Sequence, residues 1–377
     1  MNMRKQEILA TLVMLTLMQG ISVASADMTD KNYDFVANDD IDFGDMIYEQ
    51  TGGKGMMLES GDTLTIAEGK TVTFNKATYD AGAAGPFYVV VKDFGNVPKP
   101  LKITGGNFVA ISDGDKDDYA AYIQKNSGAN IIVNDTNLTF DNFYWGFALQ
   151  DAETVIENSE TKLINNDYAI YMQNDAKFNA TSDKFTIQNI NTGIFAKNNT
   201  EVYLDNKETI IENGGCAIYQ KDTSLVDIKG EKLDIINTSY AISNNNSITN
   251  IKVNEFNYLT TEASSNPTAI YGGLNAQINV NANRAYLCGN IEAYDNAKIN
   301  FLDDPNGNEI QNLTILSDGI DAVLAASDSG NTTVNFETNS YINSQGDEIY
   351  HADKQGKRTI AAIRALRNSE ITLDNAA

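Results

Sequence analysis

His351 is the only histidine of this 377-residue chain, and its arginines are Arg4, Arg284, Arg358, Arg364 and Arg367. The chemistry open to such a set is narrow. One histidine at the edge of the sequence supports no Ser-His-Asp constellation. No CxxC, HExxH, P-loop or glycine-rich dinucleotide motif occurs. Adjacent carboxylates stand at Asp117-Asp118 and Asp303-Asp304, both in turn-like sequence, where a solvated loop is the ordinary reading. Hydrolysis or lysis of a polysaccharide would need carboxylates from separate segments to converge across a cleft, and that arrangement leaves no local signature. The chain therefore reads as non-enzymatic, with no cofactor and no metal site. A polysaccharide-active enzyme, a glycoside hydrolase or a lyase, is the alternative.

What remains is recognition. Tyr122, Tyr171, Phe195, Tyr219 and Tyr271 each follow an apolar residue at a recurring place in the sequence. If that apolar residue points inward on a strand, alternation turns the aromatic outward. A column of outward rings is a platform for a sugar chain or a protein partner. Mutual stacking that stiffens a sheet is the other reading of the same column.

The elements that position these rings are short strands. Thr63-Leu64-Thr65-Ile66 and Thr71-Val72-Thr73-Phe74 show the period-2 alternation, bounded by Asn, Asp and Gly, that recurs along the chain. Ile170, Ile194, Ile218 and Ile242 are spaced by 24 residues, and Ala121, Phe147, Ile270, Ile291 and Ile363 extend the series at less even intervals. A second strand repeats as Phe178/Ala180, Val202/Leu204, Val226/Ile228, Ile278/Val280 and Ile299/Phe301. A third repeats as Phe185/Ile187, Ile211 and Leu233/Ile235. Self-similarity at a fixed step is the mark of a solenoid, in which each coil buries its apolar face only against its neighbours. The expected fold is all-β: a right-handed parallel β-helix (β-solenoid) with coils of about 24 residues.

Two columns of amides and carboxylates fall between the strands. One runs Asp151, Asn174, Asn198, Asp222, Asn246 and the other Asn166, Asn189, Asn213, Asn237. Asparagine tolerates left-handed backbone angles at corners, and stacked amides form hydrogen-bonded ladders. Both columns read as structural ladders. Cys216 and Cys288 lie about three coils apart, roughly 14 Å at the spacing of stacked strands, beyond the reach of a disulfide.

Charge and termini bound the partners and the address. The formal net charge is −24, from 51 acidic and 27 basic residues, which repels nucleic acid and anionic bilayers. Arg4 and Lys5, the apolar stretch Ile8 to Met18 and Ala24-Ser25-Ala26 compose a signal peptide over residues 1–26. Eleven mostly apolar residues are too few to span a bilayer, which takes roughly 20. Residues 27–60 read as an N-terminal cap and 61–377 as the β-helix, regular from 119 to 301. No cap is evident after Leu373 and the sequence stops at Ala377 within a coil, so the chain reads as a piece of a longer protein.

With Ala24-Ser25-Ala26 followed by acidic, Asn- and Gly-rich coils such as Tyr168-Ala169-Ile170-Tyr171 through Asn189, the chain resembles the passenger region of bacterial autotransporters. Pertactin-like right-handed parallel β-helix surface proteins share that architecture. The resemblance implies export and display at the cell surface or outer membrane, or release outside the cell. It also implies adhesin-like binding to a glycan or to a host or bacterial surface. A C-terminal β-barrel translocator, the family's usual partner segment, is absent from this sequence, and no membrane insertion by the mature chain is expected. A purely structural surface component is a further alternative.

Overall fold

The computed structural model describes residues 22–23, 34–38, 40–42, 61–75, 87–89, 100–114, 119–123, 130–260, 267–302, 312–317, 322–344 and 363–376. Within these residues every regular element is a strand; no helix is long and apolar enough to cross a membrane. The architecture is all-β and solenoid-like, and strand pairing is parallel apart from the antiparallel pair of Ser22–Val23 with Asp34–Ala37. The chain divides into two compact units, Met1–Thr186 and Ile187–Ala377.

In the first unit three rows of parallel strands follow one another along the chain. The first row runs Asp34–Ala37, Thr63–Ile66, Leu101–Thr104, Asn130–Asn134, Glu153–Glu157 and the start of Lys177–Lys197. Ile41–Asp42, Thr71–Asn75, Asn107–Ile111, Asn137–Asp141 and Thr161–Ile164 make the second. Phe87–Val89, Tyr119–Ile123, Trp145–Gln150 and Tyr168–Gln173 make the third. The rows start upstream of residue 61, so part of the segment read as a cap already pairs as strand. Partners are 23 residues apart between Asn130–Asn134 and Glu153–Glu157, and 39 apart at Thr63 and Lys102. The sequence between absorbs the difference without breaking the row.

Alternation decides which side chains are buried. Thr71–Asn75 and Asn107–Ile111 bury their second and fourth residues, because successive side chains leave a strand on opposite faces. The core of this unit is rich in phenylalanine: Phe108, Phe140, Phe143, Phe147, Phe178 and Phe185 are all buried. Phe140 contacts Phe147 at a centroid distance of 4.9 Å, and Phe147 contacts Phe178 at 5.2 Å. The turn at Gly105-Gly106 (φ +80° and +53°) passes so close to the preceding strand that a Cβ on Gly105 would lie 2.3 Å from the Ile66 carbonyl oxygen. Only glycine serves at that place.

In the second unit Glu201–Lys221 pairs along its length with Leu225–Asn245, each residue opposite the one 24 further on. Leu225–Asn245 then pairs with Ile248–Leu259 at a step of 23 and with Thr268–Gly272 at a step of 28. Farther along, Ile291 pairs with Val323 and Val323 with Ile363. Val323 is thus the member of the inward series that the sequence pattern leaves out. The core here is mainly aliphatic: Ile194, Ile218, Ile242, Ile270 and Ile291 are fully buried, each preceded by a residue that is buried too. Before the first four of these isoleucines the inward neighbour is small, at Gly193, Ala217, Ala241 and Ala269; before Ile291 it is Asn290. Cys216 and Cys288 are free thiols.

Candidate functional site

The third row of the first unit carries an aromatic face. Tyr119 pairs in register with Trp145 and Trp145 with Tyr168; Tyr122 pairs with Ala148 and Ala148 with Tyr171. Counting from the buried Ala121, Phe147 and Ile170, the residue two before and the residue one after both emerge from the outer side. Two adjacent columns result. Tyr119 lies flat on Trp145, 4.5 Å between centroids and 11° between planes. Tyr144 meets the indole edge-on at 4.2 Å, and Tyr171 does so at 6.4 Å. Tyr122 leans on Tyr119 at 4.8 Å, while Tyr168 touches both Tyr144 (5.7 Å) and Tyr171 (5.8 Å). All six rings remain half-exposed. Ala148, outward by alternation, is only 5% exposed, so the surrounding rings close over it.

Local sequence explains why Trp145 projects as it does. A Cβ on Gly146 would stand 2.5 Å from the Ala169 carbonyl oxygen, so only glycine lets the strand come this near its neighbour, between an outward Trp145 and an inward Phe147. Burial, then the charge of Asp167, then Tyr171 push the Tyr168 phenol above its ordinary value. The Tyr171 hydroxyl donates to Gln173 Oε1 at 3.5 Å. An aromatic surface edged by hydroxyls and amides can take the C–H face of a sugar ring while donating to its oxygens.

The second unit arranges its rings differently. Phe195 and Tyr219 stack at 5.2 Å and 22°. The ammonium groups of Lys197 and Lys221 stand 5.8 and 5.9 Å from the Phe195 centroid, in cation–π range. The next residue in register with Tyr219 is Ser243, and Tyr271 follows it. Tyr271 packs on Tyr294 at 5.6 Å. Burial, Glu292 and Asp295 raise the Tyr271 phenol above its usual value, and the Tyr294 hydroxyl donates to Glu292 at 3.1 Å. The five aromatics singled out in sequence are therefore all half-exposed: Tyr122 and Tyr171 join the rings around Trp145 in the first unit, and Phe195, Tyr219 and Tyr271 belong to the second. The sequence pattern overlooked Tyr119, Tyr144, Trp145 and Tyr168. Their signal was present: a lone tryptophan, and an aromatic two residues before each of three consecutive inward positions.

The amide columns are corners. Asp151, Asn174, Asn198, Asp222 and Asn246 have φ between 50° and 59°, and Asn189, Asn213 and Asn237 have φ of 54°, 58° and 52°. Asn213 Nδ2 donates to Asn189 Oδ1 at 3.1 Å, and Asn237 Nδ2 to Asn213 Oδ1 at 3.2 Å. In the first unit Asn165, with φ 55°, takes the left-handed position rather than Asn166. Asn166 turns inward instead, where its Oδ1 accepts from the Phe143 amide at 2.9 Å and its Nδ2 donates to the Phe140 carbonyl at 3.2 Å. A further ladder had no counterpart among the expected columns: Asn279 donates to Asn250, Asn300 to Asn279 and Asn335 to Asn300, at 2.8 to 2.9 Å. These amides are bonded to one another, which marks them as structure.

Among the described residues no group of three or more His, Cys, Asp or Glu side chains could hold a metal ion. Arg284 is engaged by Glu255. The Cys216 thiol donates to the Ile218 carbonyl at 3.3 Å, and burial pushes its pKa up to about 12. It is a poor nucleophile. Asp117-Asp118, Asp303-Asp304, His351 and Arg358 lie outside the described residues. No family model, characterised protein or solved structure matches the chain.

Proposed function

We propose that this chain is an exported, adhesin-like β-helix passenger that binds a glycan through the aromatic face centred on Trp145. It acts by recognition, without catalysis. The observation that carries the reading is the contact set of Trp145: one ring stacked flat on it, two rings edge-on, all half-exposed on one row of strands. A core needs no such cluster on its outer side. Exposed, mutually braced aromatics mark binding surfaces.

The finer architecture belongs to the same proposal. The rows wind as a right-handed parallel β-helix with coils of about 24 residues. The uniform 24-residue step between Glu201–Lys221 and Leu225–Asn245 supports this, with steps of 23 and 24 flanking Glu153–Glu157. The signal peptide ending at Ala26 directs the chain out of the cytoplasm, to the cell surface, the outer membrane or the medium. The acidic balance and the autotransporter-like composition accord with that address.

A glycan array probed with the full chain tests the function. Binding to a neutral oligosaccharide is expected, weakened about 30-fold by Trp145→Ala, the ~2 kcal/mol typical of a central aromatic anchor. Binding that is unchanged in Trp145→Ala, or absent from every glycan, refutes the reading. N-terminal sequencing of protein recovered outside the expressing cells tests the address, with Asp27 as the expected first residue.

A further inference from the structure

We infer that the Phe195–Tyr219 pair of the second unit, with Lys197 and Lys221, is a subsite for a carboxylated sugar, a uronate within a polysaccharide. It rests on the sugar-binding reading above but concerns a different place and a different ligand chemistry. Phe195 and Tyr219 offer a stacked, half-exposed apolar surface, the shape that meets the C–H face of a pyranose. Lys197 and Lys221 each follow an aromatic by two residues and therefore emerge from the same face of their strand. Both ammonium groups stand within 6 Å of one ring centroid. The chain carries only 27 basic residues against 51 acidic ones, so two cations converging on one ring are the exception to its overall field.

Charge complementarity selects the occupant. Two positive charges on an otherwise acidic molecule attract a ligand with sparse, localised negative charge. A nucleic acid, with a phosphate at every step, meets the whole chain's repulsion. A neutral sugar gains nothing from the lysines. A uronate satisfies both halves: its ring lies against the exposed sides of Phe195 and Tyr219, and its carboxylate reaches the ammonium groups that stand over Phe195. Lysine makes this contact as a point charge on a flexible stem, so the subsite reads the presence of a carboxylate rather than a fixed angle. The contrast with the Trp145 face is chemical, since that cluster has hydroxyls and Asp167 near it.

The test uses the full chain, tetragalacturonate and the same oligomer with its carboxyl groups reduced to alcohols, compared by calorimetry at low and moderate salt. The expected result is about tenfold tighter binding of the uronate, the sum of two exposed charge contacts, with the preference shrinking as salt rises. The double variant Lys197→Gln/Lys221→Gln should bind the two oligomers equally and keep the native circular dichroism and thermal midpoint. Phe195→Ala should weaken both. Equal affinity of the native chain for the two oligomers overturns the inference, as does a uronate preference that survives the double lysine substitution, or no binding of tetragalacturonate at all. Each of these leaves the Trp145 reading standing or falling on its own neutral-glycan result. Loss of neutral-glycan binding in Trp145→Ala, with uronate binding intact, separates the two sites.

Discussion

The outward faces of the two units start from one plan and diverge. In both, an aromatic follows the inward residue of a strand and is turned out by alternation. In the first unit the residue two before the inward position is aromatic as well, at Tyr119, Trp145 and Tyr168, and the rings merge into a broad neutral surface. In the second unit the corresponding places hold Thr192, Cys216, Tyr240 and Thr268. There Phe195 stacks on Tyr219 and Tyr271 packs on Tyr294, and lysines flank Phe195. A single column stiffens a sheet or supplies one contact. A second column three residues earlier makes an area wide enough to be a site. The cores diverge in parallel, phenylalanine-rich in the first unit and isoleucine-rich in the second.

The largest effects should come from those cores. Phe147 is fully buried between Phe140 and Phe178, so Phe147→Ala should cost about 3–5 kcal/mol, whereas Ile242→Val in the second unit should cost about 0.5–1.5 kcal/mol. Denaturant unfolding of the two variants checks the ratio; equal costs would mean that Phe147 is packed far more loosely than its burial implies. Next in size is Gly146→Ala. Its Cβ would stand 2.5 Å from the Ala169 carbonyl oxygen, an overpacking penalty of about 1–3 kcal/mol, together with displaced Trp145 emission. A mild substitution at that place would contradict the close approach proposed to set the indole.

Corner residues should give smaller changes. Asn213, at φ 58° and bonded on both sides in the amide ladder, should lose about 1–2 kcal/mol on Asn213→Ala from the left-handed angle. Asn213→Gly should lose less, since only the amide bonds go. Equal losses in the two variants would assign the corner's stability to the ladder alone. The last effect concerns pH and is confined to alkaline solution. The Cys216 thiol has its pKa raised from 9.0 to about 12 in the folded chain, so folded protein holds a proton that unfolded protein releases across that interval. The stabilisation is complete below pH 9 and declines as pH rises towards 12. Cys216→Ala should flatten that part of a stability–pH curve, leaving the decline from the raised phenols of Tyr168 and Tyr271.

Parallel strands and their alternation were legible in the sequence because period 2 and a constant step are local, additive signals. Ile218 facing Ile242 follows from counting. What escaped was set by neighbours. Val323 went unnoticed because insertions displace it from the even spacing, although it pairs with both Ile291 and Ile363. Asn166 and Asn165 are adjacent amides, and only the backbone angle shows which one turns the corner. Counting in twos from the inward Phe147 turns Trp145 inward as well; it points outward because Gly146 and Phe147 are buried in succession. Its ring neighbours follow only from the register of three strands at once. The cation–π contacts of Lys197 and Lys221 likewise depend on how long stems fold over a ring, which residue order leaves open.

Trp145 is the only tryptophan of the chain, so its fluorescence reports the candidate face and nothing else. Titrating the full chain with a neutral oligosaccharide that it binds on an array should give a saturable change in emission wavelength and intensity, with a midpoint equal to the affinity measured by calorimetry. An emission spectrum that stays constant while calorimetry records binding would place the sugar elsewhere and contradict the account.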